Sequence, residues 1–257
     1  MSNLPCESLD HIADLLDGGQ TPLRNCCLVS KSWIPRTRKH LFAKIHFRTA
    51  KNLLSWKKTF PDPSTSPACY AEALFIGGPK VITATEVEAG GWIRGFSRVV
   101  RLVMVGQYVF SRGWEFSFAL FHGFSPVIKS IRISTLGFLS SQLLDLILSF
   151  RLLEDLSIIN CYGRTPDGLL AVARPSGLPA FTGSLGLDMR GGMQPIARRL
   201  LSLPGHIHFR KLTLKWSREE DIPLTVAFVE RCSRTLESLD ITCSLNGTCI
   251  RDQFPHG

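Results

Sequence analysis

Two apolar residues flanking a single residue return seven times along the chain, and this recurrence restricts the possible folds more than any other feature. The pairs begin at Leu74, Leu102, Ile131, Leu156, Leu185, Leu212 and Leu239, at intervals of 28, 29, 25, 29, 27 and 27 residues. An apolar-x-apolar triplet reads as a short strand with both apolar side chains on one face. Such a constant interval implies one structural unit laid down repeatedly, each unit too small to bury its own apolar face. The connecting segments carry a helical period instead. Leu143, Leu144, Ile147 and Leu148 form one stripe, and Gln194–Leu203 and Ile222–Cys232 carry similar ones.

In most units a further apolar residue lies three places earlier: Val99, Ile128, Leu153, Phe209 and Leu236. This completes L-x-x-L-x-L, and Asn160-Cys161 supplies the trailing position after Leu153–Ile158. The pattern resembles the long leucine-rich-repeat class. It departs in the fifth unit, where Phe181 lies four residues before Leu185, as expected for an inserted loop residue. The resemblance implies a solenoid with a parallel sheet on one face and helices on the other.

The N-terminal region has a different character. Leu9, Ile12, Ala13 and Leu16 share one helical face, Pro5 suits a first turn, and Gly18-Gly19 ends the segment. Thr21-Pro22 opens a second helix through Val29, and Ser30 or Ser32 opens a third to about Phe42. Leu4-Pro5-Cys6-Glu7-Ser8-Leu9 with Ile12, Leu15 and Leu16, then Leu28-Val29-Ser30-Lys31-Ser32-Trp33 with Leu41-Phe42, resembles an F-box of the form common in fungi. The resemblance covers residues 4–45. It implies docking on the acidic Skp-type adaptor of a cullin–RING ubiquitin ligase, with Leu4, Pro5, Ile12, Leu16, Leu28, Val29 and Trp33 at or beside the contact.

The expected architecture is therefore α/β: an F-box-like three-helix module over residues 1–48, a helix and linker over 49–70, a leucine-rich-repeat-like solenoid of about seven strands over 71–244, and a loosely ordered tail over 245–257. Pro61-Asp62-Pro63-Ser64-Thr65-Ser66-Pro67 is the linker signal.

Net charge is +9, and ten basic residues lie between Gly18 and Pro61 with no acid among them. An acidic partner suits that run. Strand alternation points one set of residues to the open side of the sheet. From these, Arg101, Arg132, Asp155, Ser157, Asp188, Lys211, Lys215 and Asp240 are taken as a candidate target-binding face. With mixed charge and no basic track bearing stacking aromatics, the face points to a protein target and not to nucleic acid.

Chemistry is not expected. The chain has no G-x-x-x-x-G-K, G-x-G-x-x-G, H-E-x-x-H or G-x-S-x-G motif. Its eight cysteines include no C-x-x-C pair, and His206, His208 and Cys232 lack the second close pair of a metal site. Trp92, Trp114 and Trp216 read as packing residues. No apolar run reaches the roughly eighteen residues of a membrane span, and Glu7, Asp10, Asp14 and Asp17 are wrong for a signal peptide. These readings predict an intracellular protein of cytoplasm or nucleus, without cofactor, that bridges a target to a ubiquitin ligase. The alternative is a leucine-rich-repeat scaffold with no ligase coupling.

Overall fold

A computed structural model describes residues 8, 11–12, 15–16, 20–29, 31, 34–77, 90–106, 127–164, 181–190, 192–203, 207–245 and 248–250. The fold is α/β, built on one long sheet. Its strands are β1 (Lys44–Phe47), β2 (Ala73–Gly77), β3 (Arg101–Val105), β4 (Ser130–Ser134), β6 (Asp155–Ile159), β8 (Ser184–Asp188), β9 (Lys211–Trp216), β10 (Ser238–Leu245) and β11 (Thr248–Ile250). They lie side by side in that chain order, the first eight parallel and β11 antiparallel to β10. Two short strands, β5 (Gly137–Leu139) and β7 (Tyr162–Arg164), pair parallel with each other beyond β4 and β6.

The recurring apolar pairs are in register. Leu74 opposes Leu102, which opposes Ile131, and the line continues through Leu156, Leu185, Leu212 and Leu239. From Leu74 to Leu214 the paired side chains are buried in one continuous core. Each fully buried aliphatic side chain contributes about 1.5–3 kcal/mol, so the aligned pairs supply much of the fold's driving force.

Besides the helical residues Ser8, His11, Ile12 and Leu15, six α-helices are delimited among the described residues: α1 (Gln20–Val29), α2 (Ile34–Phe42), α3 (Ala50–Thr59), α4 (Ser140–Ser149), α5 (Gln194–Leu201) and α6 (Ile222–Cys232). Helices α4, α5 and α6 pack successively on one another, as the helical stripes predicted. Leu143, Leu144, Ile147, Ile196, Leu200 and Phe228 enter the core. Ser140, the first residue of α4, is buried, and its hydroxyl has no hydrogen-bond partner among the described residues.

The entry to each strand follows one pattern. Two consecutive amides donate to a single carbonyl on the preceding strand's entry: Glu72 and Ala73 to Ala43, Val100 and Arg101 to Glu72, Lys129 and Ser130 to Val100. The same occurs for Glu154 and Asp155, Arg210 and Lys211, and Glu237 and Ser238. β8 departs, because the extra residue after Phe181 shifts the approach. There Gly183 donates to the Glu154 carbonyl, while the Ser184 amide donates to the Asp155 carboxylate at 2.7 Å. A side chain replaces the missing backbone acceptor.

Three boundaries differ from the sequence expectation. The sheet begins one unit earlier, since β1 lies inside 1–48 and pairs Ile45 with Leu74. Residues 49–70 hold a helix followed by the Pro-rich stretch, and Leu53, Ser66, Pro67 and Ala68 within them are buried. Helix α3 is opened by a reciprocal cap, in which the Thr49 hydroxyl accepts from the Asn52 amide and the Asn52 side chain accepts from the Thr49 amide. Finally, residues 248–250, expected in a loose tail, form β11 against β10. Among the described residues no helix is long and apolar enough to cross a membrane.

Candidate interaction surfaces

Parallel in-register pairing places residues of equal rank beside one another, about 4.8 Å apart from strand to strand. The side of the sheet opposite the helices therefore presents rows. The first runs Lys44, Ala73, Arg101, Ser130, Asp155, and then through Lys211 to Ser238. The second runs His46, Phe75, Val103, Arg132, Ser157, Gly186, Thr213 and Asp240. Seven of the eight sequence-selected face residues are exposed or half-buried.

Asp188 is the exception and corrects the expectation. Its carboxylate is fully buried and accepts from the Arg190 guanidinium at 2.6 and 2.8 Å and from the Asn160 amide at 3.3 Å. Arg190 also donates to the Asn160 side chain at 2.9 Å. At the strand end the backbone turns, and the carboxylate is drawn into this clip between neighbouring units. Asn160 occupies the left-handed region (φ 52°), which Asn tolerates better than most residues. Asp155 is likewise engaged, accepting from both the amide and the hydroxyl of Ser184. Its close approach needs Gly183, where a Cβ would lie 2.3 Å from the Asp155 Oδ1.

The sequence reading missed β1 and with it one end of the face. Lys44 and His46 extend the rows, and the His46 and Phe75 rings stack at 4.0 Å with an interplanar angle of 3°. Desolvation, and then the charges of Arg48 and Lys44, hold the His46 imidazole below the usual histidine range. The available signal was Phe42-x-x-Ile45-x-Phe47, 29 residues before Leu74. On the inner side Phe47 meets Trp56, Trp92 and Phe96 edge-on at 5.7, 5.9 and 6.2 Å. That cluster anchors the strand carrying Lys44 and His46.

No protein-family model matches the chain, and no curated protein or solved structure matches it either. The surfaces must be read from their own geometry.

The second surface lies on the N-terminal helices. His11, Ile12 and Leu15 are helical, and the Leu16 amide donates to the Ile12 carbonyl at 3.2 Å. Helices α1 and α2 pack on each other, and Leu23 is buried. Three large apolar side chains nearby are not: Leu28 is 85% exposed, Leu15 73% and Ile12 37%. Leu16 is half-buried. Leu4, Pro5, Trp33 and the side chain of Val29 lie outside the described residues.

Among the described residues no three His, Cys, Asp or Glu side chains group as a metal site. Cys232 is buried with its Sγ 3.8 Å from the Ile207 carbonyl, His208 is exposed, and His206 lies outside the described residues. Cys161 is buried beside the Ile133 and Ile159 carbonyls, and burial pushes its thiol up to about 11. Trp92 is buried in the aromatic cluster and Trp216 packs against the core; Trp114 lies outside the described residues.

Proposed function

We propose that this chain is a substrate-recognition adaptor of an Skp/cullin/F-box-type ubiquitin ligase. The N-terminal helices dock on the acidic Skp-type adaptor. The sheet, read as a leucine-rich-repeat-like solenoid, holds a target protein on its open face. The mechanism is tethering: holding both partners raises the effective concentration of target lysines near the ubiquitin carrier. No residue of the chain performs chemistry in this reading.

The observation that carries it is the exposure of Leu15 and Leu28 on the N-terminal helical segments. Large aliphatic side chains so far from burial suit a surface that a partner covers. The strand order and register support the solenoid half of the reading, because stacked units give chain-order parallel pairing with one shared core.

A second reading, a scaffold without ligase coupling, is favoured by the packing of Phe42 against the sheet core and the direct passage from α2 into β1. Those contacts suit helices that merely cover the end of the sheet.

Titrating the full chain with a purified Skp-type adaptor separates the two. Binding is expected, and Leu15→Asp/Leu28→Asp should remove it, since central truncations at interfaces commonly cost about 2 kcal/mol or more. Leu54→Asp, also on an exposed helical position, should leave it intact. If the wild-type chain does not bind, the ligase reading fails and the scaffold stands.

A further inference from the structure

The open face is polarised along the strand order, which a residue tally hides. Outward positions on β1 to β4 carry Lys44, His46, Arg101 and Arg132 and no acid. Outward positions on β6 to β10 mix Lys211 and Lys215 with Asp155 and Asp240 among small polar residues. Among the described residues Arg101, Arg132 and Lys44 form no salt bridge; the cross-strand pair at this rim is Lys129 with Glu154 at 3.0 Å. Uncompensated cations on a rigid sheet set up a local positive field.

Beside those cations stand Phe75, in the row of His46 and Arg132, and the half-exposed Val105, one row further along. Because His46 and Phe75 stack face to face in neighbouring strands, their faces are turned to each other along the row and their edges stand toward solvent. Aromatic edges carry the positive lobe of the ring quadrupole. Nucleobases stack on ring faces, which this arrangement withholds. Carboxylates meet cations and ring edges, which it offers.

We propose that the β1–β4 half of the open face binds an acidic, extended segment of a partner protein. Carboxylates pair with Lys44, Arg101 and Arg132, and one apolar side chain lies against Phe75 and Val105. Lys44 and Arg101 are two strand steps apart, about 10 Å, and Arg101 and Arg132 about 8 Å. A β-strand places residues i and i+2 on one side about 7 Å apart, and a polyproline-II chain places i and i+3 on one side about 9 Å apart, so acids at alternate positions of the first or third positions of the second reach successive cations. Bidentate guanidinium–carboxylate geometry adds directionality. The proposal shares with the proposed function the premise that this face receives a target, but it is independent of docking by the N-terminal helices.

The test is fluorescence anisotropy of the full chain with a fluorescein-labelled acidic peptide carrying one central phenylalanine. Comparison probes are the same peptide with its acids replaced by amides, and an oligothymidylate of equal charge. The acidic peptide is expected to bind at least tenfold more tightly than either. Arg101→Glu/Arg132→Glu should weaken it at least tenfold, and Lys211→Glu/Lys215→Glu less than threefold, with thermal midpoints near wild type because all four side chains lie on the open face. Tighter oligonucleotide binding overturns the proposal in favour of nucleic acid. Equal weakening by the two double variants reduces it to diffuse charge, and absence of peptide binding ends it. Arg101→Glu/Arg132→Glu should keep its affinity for the Skp-type adaptor, so loss of one activity is not mistaken for loss of the other.

Discussion

The two ends of the sheet carry the same motif and bury it very differently. At the N-terminal end, Ile45 and Phe47 of β1 are buried beneath α3 and an aromatic cluster of Trp56, Trp92 and Phe96. At the C-terminal end, Leu239 of β10 is 38% exposed although its register partner Leu212 is 1% exposed. Ile222 and Val226 of α6 are exposed as well. Burial is thus set by the neighbouring unit and not by the motif. β1 is sealed because α3 and the aromatic cluster lie over it, whereas among the described residues no helix beyond α6 covers β10.

That contrast can be broken by substitution. Phe47→Ala should cost about 3–5 kcal/mol, because it empties the centre of the aromatic cluster, and should lower the thermal midpoint by many degrees. Leu212→Ala and Leu239→Ala test the contrast within one register pair. The first should cost about 2–5 kcal/mol and the second about 1 kcal/mol or less, since part of its side chain already meets water. Equal losses in chemical denaturation would show the two ends to be alike.

Smaller effects probe the junction that departs from the common strand entry. Asp155→Ala leaves the Ser184 amide without its acceptor and should cost about 1–3 kcal/mol. Asp155→Asn keeps an acceptor oxygen and should cost less. Thiol chemistry gives the gentlest probe. With Cys161 pushed up to about 11 and Cys232 also raised by burial, both should resist iodoacetamide at pH 8 in the folded chain and react only after denaturation. The half-buried Cys26, Cys69 and Cys243 should label before Cys161 and Cys232 by mass spectrometry.

The recurring pairs were legible because period and alternation are local properties of sequence. Seven strand positions and three helices followed from them. β1 was missed because Ile45 and Phe47 directly follow helical residues and were counted within the 1–48 module. Asn246-Gly247, a favoured hairpin dipeptide, was the available sign of β11. The site was less legible. Alternation placed Asp188 outward, but the strand ends there and the carboxylate turns into the Asn160–Arg190 clip. The face read as mixed in charge, because polarity along the strand order emerges only when β1 is added and the engaged carboxylates are recognised.

The account depends most on strands standing side by side in chain order. Genetically encoded spin labels at Phe75 and, in turn, Arg132, Ser157, Thr213 and Asp240 test this by pulsed electron resonance. The backbone separations should rise steadily, at about 10, 14, 24 and 29 Å for two, three, five and six strand steps. A separation that falls as the second label moves toward the C-terminus would contradict the strand order, and with it both proposed surfaces.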